Sequence, residues 1–109
     1  MYRATQALDD YKANDILVLD VRNLSDATDY FIIASGSSDI HVRSLGNRLI
    51  QDLAEEGINP HHVEGLARGQ WALIDFVDFV VHVFHPSVRE FYQLERLWAD
   101  APRIQVQME

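Results

Sequence analysis

The chain contains no cysteine, which excludes a disulfide framework and thiolate chemistry of any kind. Cations are also scarce, nine Lys plus Arg against 17 Asp plus Glu, for a net charge of −8. They are scattered along the chain at Arg3, Lys12, Arg22, Arg43, Arg48, Arg68, Arg89, Arg96 and Arg103, with no two adjacent. Nucleic-acid binding needs several cations converging on phosphates, so direct contact with RNA or DNA is not expected. An acidic surface instead suits a basic protein partner, or simply solubility. No apolar run is long enough to span a bilayer. The opening residues MYRATQALDDYKAND turn acidic at once and lack the apolar core of a signal peptide. A cytoplasmic protein without membrane association is therefore expected. Internal repeats and low-complexity segments are absent as well.

What is present is globular in character. Of 109 residues, 48% are hydrophobic and 24% charged, values of a folded chain with one core. Residues 1–102 read as one domain and 103–109 as a C-terminal tail. Tyr2 to Lys12 carry Ala4, Ala7, Leu8 and Tyr11 at helical spacing. Asp15 to Val21 is a β-branched run bounded by charge, hence a strand, and Asn23 to Thr28 a polar loop. Asp29 to Ala34 is an apolar run too short for a helix, and it reads as a central strand. Ser35-Gly36-Ser37-Ser38-Asp39 supplies a turn and a cap. Val42, Leu45, Leu49 and Leu53 then mark the buried face of a long helix, stopped by Gly57 and Pro60. His61 to Glu64 is a short candidate strand. Ser87 to about Asp100, with Val88, Phe91, Tyr92, Leu94, Glu95 and Trp98, predicts a closing helix.

The most informative stretch is Gly69 to Phe84, GQWALIDFVDFVVHVF. Phe79 to Phe84 is the longest apolar run of the chain and predicts a strand buried on both faces. Trp71 to Ile74 is a second apolar segment, joined to it by Asp75-Phe76-Val77-Asp78 at a length that suits an antiparallel hairpin. Alternation along a strand puts Trp71, Leu73 and Asp75 on one face and Ala72 and Ile74 on the other. A Trp beside a carboxylate reads either as the lid of a core or as an interface anchor. If the small residues face the core, the indole points outward. The element order becomes α-β-β-α-β-β-β-α, an α/β fold with a mixed sheet covered by helices.

Three rival functions are legible. Gly36-Ser37 is like the phosphate-cradling turn of nucleotidyltransferases, yet those enzymes need two or three carboxylates on adjacent strand positions for Mg²⁺. No Asp-x-Asp pair follows, and Asp75 and Asp78 lie across a turn. His61, His62, His82 and His85 suggest zinc, but His82 and His85 face opposite sides and no cysteine supports them. His82 reads better as a buried, hydrogen-bonded histidine. No cofactor and no metal is expected. A homodimerisation module using an exposed sheet edge is the third reading, and it is compatible with a homodimer of the free protein.

Four groups of residues, taken together, are similar to a known family. They are Lys12…Asp15-Ile16…Leu19-Asp20-Val21, then Thr28 to Gly36 (TDYFIIASG), then Glu64-Gly65…Gly69-Gln70-Trp71…Asp75…Asp78…Val81-His82-Val83-Phe84, and last Arg89…Phe91-Tyr92…Leu94-Glu95…Leu97-Trp98. In this order, from Ala7 to Ala101, the chain resembles the ribosomal silencing factors, also called Iojap-like proteins. The resemblance implies a small α/β domain of nucleotidyltransferase-like topology that binds the large ribosomal subunit through ribosomal protein fourteen. It implies that subunit joining is blocked sterically, which damps translation when nutrients are short, without enzymatic chemistry. Carried onto this chain, it makes Trp71 the anchor with Leu73 beside it. Asp75 and Asp78 supply negative charge, and Arg89 and Tyr92 flank the patch from the last helix. The family usually has Gly between the two hairpin Asp residues, where this chain has Val77. A β-branched residue resists positive φ, so a locally different turn is expected.

Overall fold

The computed structural model describes residues 2–24, 26–88 and 102–104. Helix α1 (Tyr2–Asp10) leads to strands β1 (Asn14–Asp20) and β2 (Tyr30–Ser35). Helix α2 (Asp39–Ala54) follows, then β3 (His62–Glu64), β4 (Trp71–Asp75) and β5 (Phe79–Phe84), and finally β6 (Arg103–Ile104). The strands form one mixed sheet in the order β3-β4-β5-β2-β1-β6. Only β2 and β5 run parallel among these neighbours. The α/β fold with a mixed sheet is thus as the sequence pattern indicates. Strand β6 is not: Arg103 and Ile104 open the expected tail, yet they pair with Leu19 and Val18. Two residues are too short a stretch to show alternation, and only the free edge of β1 selects them as a strand. Of the predicted last helix, residues 86–88 are helical, with Pro86 in the first position where its missing N–H costs nothing. The remainder, 89–101, lies outside the described residues.

Each helix exists because one stripe is apolar. Ala4, Ala7 and Leu8 of α1 and Val42, Leu45, Leu49 and Leu53 of α2 are fully buried or nearly so. They meet Val18, Ile32, Ala34, Ala72, Ile74, Val81 and Val83 of the sheet in one cluster. Ser38 caps α2 by accepting from the His41 N–H at 3.1 Å. His41 in turn accepts the Ser37 N–H on Nδ1 at 2.7 Å. Its Nε2 therefore carries the proton and donates to the Tyr11 carbonyl at 2.9 Å, tying the end of α1 to the start of α2. Arg3 of α1 adds ion pairs to Asp52 and Glu56, both at 3.3 Å.

The opposite face of the sheet is a second apolar layer, as the expectation of a β5 strand buried on both faces requires. Leu19, Val21, Ile33 and Phe84 are buried there, with Leu17, Phe31 and Val88 packed against them. All six residues of β5 are buried, which explains why that run lacks alternation.

The β4–β5 turn holds a surprise at Val77, whose φ is 76°. The local avoidance of positive φ expected for a β-branched residue does not occur. Three hydrogen bonds impose the conformation: Phe76 N–H to Phe79 O at 2.9 Å, Asp78 N–H to Phe76 O at 3.0 Å, and Val77 N–H to Asp75 Oδ1 at 2.7 Å. The second closes a γ-turn centred on Val77, a strained form when φ is positive. Stacking of Phe76 on Phe79, with centroids 5.0 Å apart, closes the base of the turn. Val77 is 54% exposed, so its side chain returns little for the strain. Val77→Gly is expected to stabilise the protein by about 1 kcal/mol, the left-handed penalty less the added entropy of an unfolded glycine. Urea titration of the two proteins would show this as a raised midpoint at unchanged slope.

Candidate protein-interaction site

The hairpin aligns its two strands so that Trp71 lies opposite Phe84, Leu73 opposite His82 and Asp75 opposite Val80. Alternation works as the residues predict: Ala72 and Ile74 are fully buried toward the helices, while Trp71, Leu73 and Asp75 share the other face. Because that face is itself packed, Trp71 does not simply stand in solvent. Its ring leans on Phe84, with centroids 4.9 Å apart at 48°, and 37% of the residue stays exposed. Trp71 is therefore both a lid on the second layer and an accessible aromatic surface.

The loop before it presents the tryptophan. Gly65 and Gly69 both take positive φ, 73° and 68°. A side chain on Gly65 would run into the Trp71 carbonyl, and one on Gly69 into the Asp39 carbonyl at the start of α2. The loop of residues 65–70 is thus folded tightly between β4 and α2, and only glycine allows that approach.

Trp71 Nε1–H donates to Nδ1 of His82 at 3.1 Å. An indole N–H only donates, so His82 accepts on Nδ1 and bears its proton on Nε2. His82 is 5% exposed, stacked nearly parallel to Phe84 (5.9 Å, 4°) and edge-on to Phe31 (5.2 Å, 75°). Burial, which disfavours the charged imidazolium, pushes its pKa down to about 4. The expectation of a buried, hydrogen-bonded histidine is met. Its partner, Trp71, was not foreseen, because the diagonal contact depends on hairpin register.

The other residues singled out from the sequence divide clearly. Leu73 is half-buried between Trp71 and Asp75, and its neighbour on β3 is Glu64. Asp75 is half-buried at the end of β4. It uses Oδ1 for the Val77 N–H and its carbonyl for the His61 N–H at 2.7 Å. Asp78 is exposed at the tip, and its carbonyl accepts from Asp29 N–H at 3.1 Å, lacing the hairpin to the start of β2. Arg89 and Tyr92 lie outside the described residues. At the same end of the sheet, Arg22 clasps Asp20 (2.6 Å) and holds that carboxyl below the usual carboxylate range. Its guanidinium also lies 5.4 Å from the Tyr30 ring centroid.

The histidines are spread apart. His85 accepts the Ser87 N–H at 3.2 Å, His62 lies 3.0 Å from Glu64, and His41 is committed to the α1–α2 junction. Among the described residues, no three His, Asp or Glu side chains are grouped so as to hold a metal ion.

A family model described as ribosomal silencing factor during starvation matches residues 1–109. The chain belongs to the ribosomal silencing factor family. It is 43% identical over 99 residues to a ribosomal silencing factor of Bacillus subtilis, covering 91% of this chain and 84% of that one. It is also 38% identical over 100 residues to the chloroplastic Iojap protein of Arabidopsis thaliana, where the match spans 92% of this chain and 42% of the plant protein. A crystal structure of a Chromobacterium violaceum protein superposes with a TM-score of 0.86 at 39% identity, covering 89% of this chain and 81% of that one. The resemblance in the hairpin and strand motifs is thereby a family relationship across the whole chain. Among the described residues, no helix is long and apolar enough to cross a membrane.

Proposed function

We propose that this protein binds the large ribosomal subunit through ribosomal protein fourteen, using the Trp71 face. Bound there, it bars the small subunit by occlusion and represses translation under nutrient limitation. The observation that carries the reading is the family match together with an accessible tryptophan on a hairpin that carries Leu73 and Asp75 on the same face and Asp78 at its tip. Large rigid aromatics are the residues most often found as interface anchors, and carboxylates beside one steer a basic partner. Arg89 and Tyr92 are proposed to flank the same patch. Among the described cations, Arg3, Arg22 and Arg43 are already paired with carboxylates, which supports a protein rather than a nucleic-acid contact. The action is proposed to be steric, without catalysis or cofactor, and to take place in the cytoplasm.

The test is subunit joining in a purified system. Added protein is expected to sediment with free large subunits and to lower the yield of joined ribosomes, with crosslinks from position 71 landing on ribosomal protein fourteen. Unchanged joining at saturating protein would reject the reading. Asp75→Asn isolates the charge, since the amide oxygen still accepts the Val77 N–H. Its binding is expected to be weaker than the parent's at low salt and nearly equal at high salt, where exposed charges are screened.

A further inference from the structure

We propose that His82 is a positioning residue for the interaction face, its Nδ1 holding the Trp71 indole in the orientation that meets the partner. The proposal rests on the reading of Trp71 as the anchor. His82 occupies the middle of β5, where every other side chain is apolar and buried, and a polar ring at 5% exposure is unfavourable there unless a hydrogen bond compensates. A phenylalanine would fill the same layer at lower cost. What histidine adds is an acceptor at Nδ1, and that acceptor is directed at the indole N–H of Trp71, 3.1 Å away.

The direction of that acceptor is set from inside the fold. Phe84, fully buried, lies nearly parallel to the imidazole, and Phe31 meets it edge-on. Parallel pairing of β2 with β5 places Ile33 beside His82, and Leu73 sits opposite on β4. The imidazole is therefore held by neighbours on both adjoining strands. Trp71 differs, being the first residue of β4 and more than a third exposed. Its contact with Phe84 restrains the ring plane, but stacking alone tolerates sliding, whereas a hydrogen bond to a fixed acceptor selects one rotamer. An anchor already held in its bound rotamer loses less conformational entropy on association. The chain of support thus runs from the core through His82 to the exposed indole edge.

The experiment uses the full chain and purified large subunits. His82→Phe keeps the aromatic layer and removes the acceptor, whereas His82→Asn places an amide oxygen near the position of Nδ1. Each is made alone and in a Trp71→Phe background. Three quantities are measured: the melting temperature, the indole N–H proton resonance of Trp71 (assigned by its absence in Trp71→Phe), and affinity for large subunits. His82→Phe is expected to fold, to shift the Trp71 resonance, and to weaken binding about tenfold, the loss of one well-placed hydrogen bond. His82→Asn should recover most of that affinity. In the Trp71→Phe background, where no indole N–H remains, His82→Phe should weaken binding no further. A His82→Phe protein that binds as tightly as the parent overturns the proposal, as does an equal loss in both backgrounds. If His82→Phe does not fold, the His82→Asn pair decides by the same comparison, affinity retained supporting the proposal and affinity lost overturning it. If the parent itself does not bind large subunits, the reading of the face has failed. The Trp71 resonance then still decides positioning: movement in the His82 variants that lack the acceptor supports it, and an unmoved resonance overturns it.

Discussion

Trp71→Ala is expected to lose most of its affinity for the large subunit while remaining folded at moderate temperature. Truncating a tryptophan anchor typically costs on the order of 2–4 kcal/mol of binding, a roughly thirtyfold to thousandfold loss. Folding should suffer less, though not negligibly. A fully buried Trp costs about 3–5 kcal/mol when cut to Ala, but Trp71 is 37% exposed, with its ring against Phe84 and its indole N–H on His82. A destabilisation of about 1–2 kcal/mol follows, or roughly 5–15 °C in Tm for a domain of this size. Trp71→Phe separates the contributions, since it keeps an aromatic ring over Phe84 and removes the donor to His82. The decisive measurements are thermal melting and co-sedimentation on the same preparations. A Trp71→Ala protein that melts far below this range would make the indole a core residue, and one that binds normally would move the interface elsewhere.

Acid should destabilise the protein through His82. Its folded pKa, about 4, lies below the ordinary value near 6.5, so between these values the unfolded chain binds more protons than the native one. Stability therefore rises with pH across that window. The contribution, about 3 kcal/mol for a shift of this size, is complete above about pH 6.5 and is lost as the pH falls toward 4. Protonation at Nδ1 would also turn the acceptor for Trp71 into a donor, opposing the indole N–H. Urea unfolding at pH 7, 5.5 and 4 tests this against His82→Phe, which carries no titrating ring. The parent should lose more stability than the variant over the range, and parallel losses would show that His82 titrates normally in the fold. Carboxylates such as Asp20, whose pKa is lowered chiefly by the Arg22 side chain, add to acid sensitivity in both proteins and cancel in the comparison.

Much of this protein was determined by sequence alone, wherever a local rule operates on contiguous residues. Helix α2 follows from Val42, Leu45, Leu49 and Leu53 and from the Ser and Gly that bound it. The hairpin follows from two apolar segments with a short polar joint, and the face of Trp71 from alternation with Ala72 and Ile74. The motif order identified the family by the same linear means. Tertiary structure decided what depends on segments far apart in the chain. Whether the Trp71 face was wet or packed turned on Leu19, Val21, Ile33 and Phe84, which separate segments bring side by side into one buried cluster on that face. Arg103–Ile104 became a strand only because the edge of β1 was free. Val77 accepted positive φ because the bonds at Asp75, Phe76 and Asp78, with the Phe76–Phe79 stack, outweigh a local preference. The Trp71–His82 bond belongs to the same class. Residues eleven positions apart meet only in one hairpin register, and register is set by the turn geometry and the packing of both faces together.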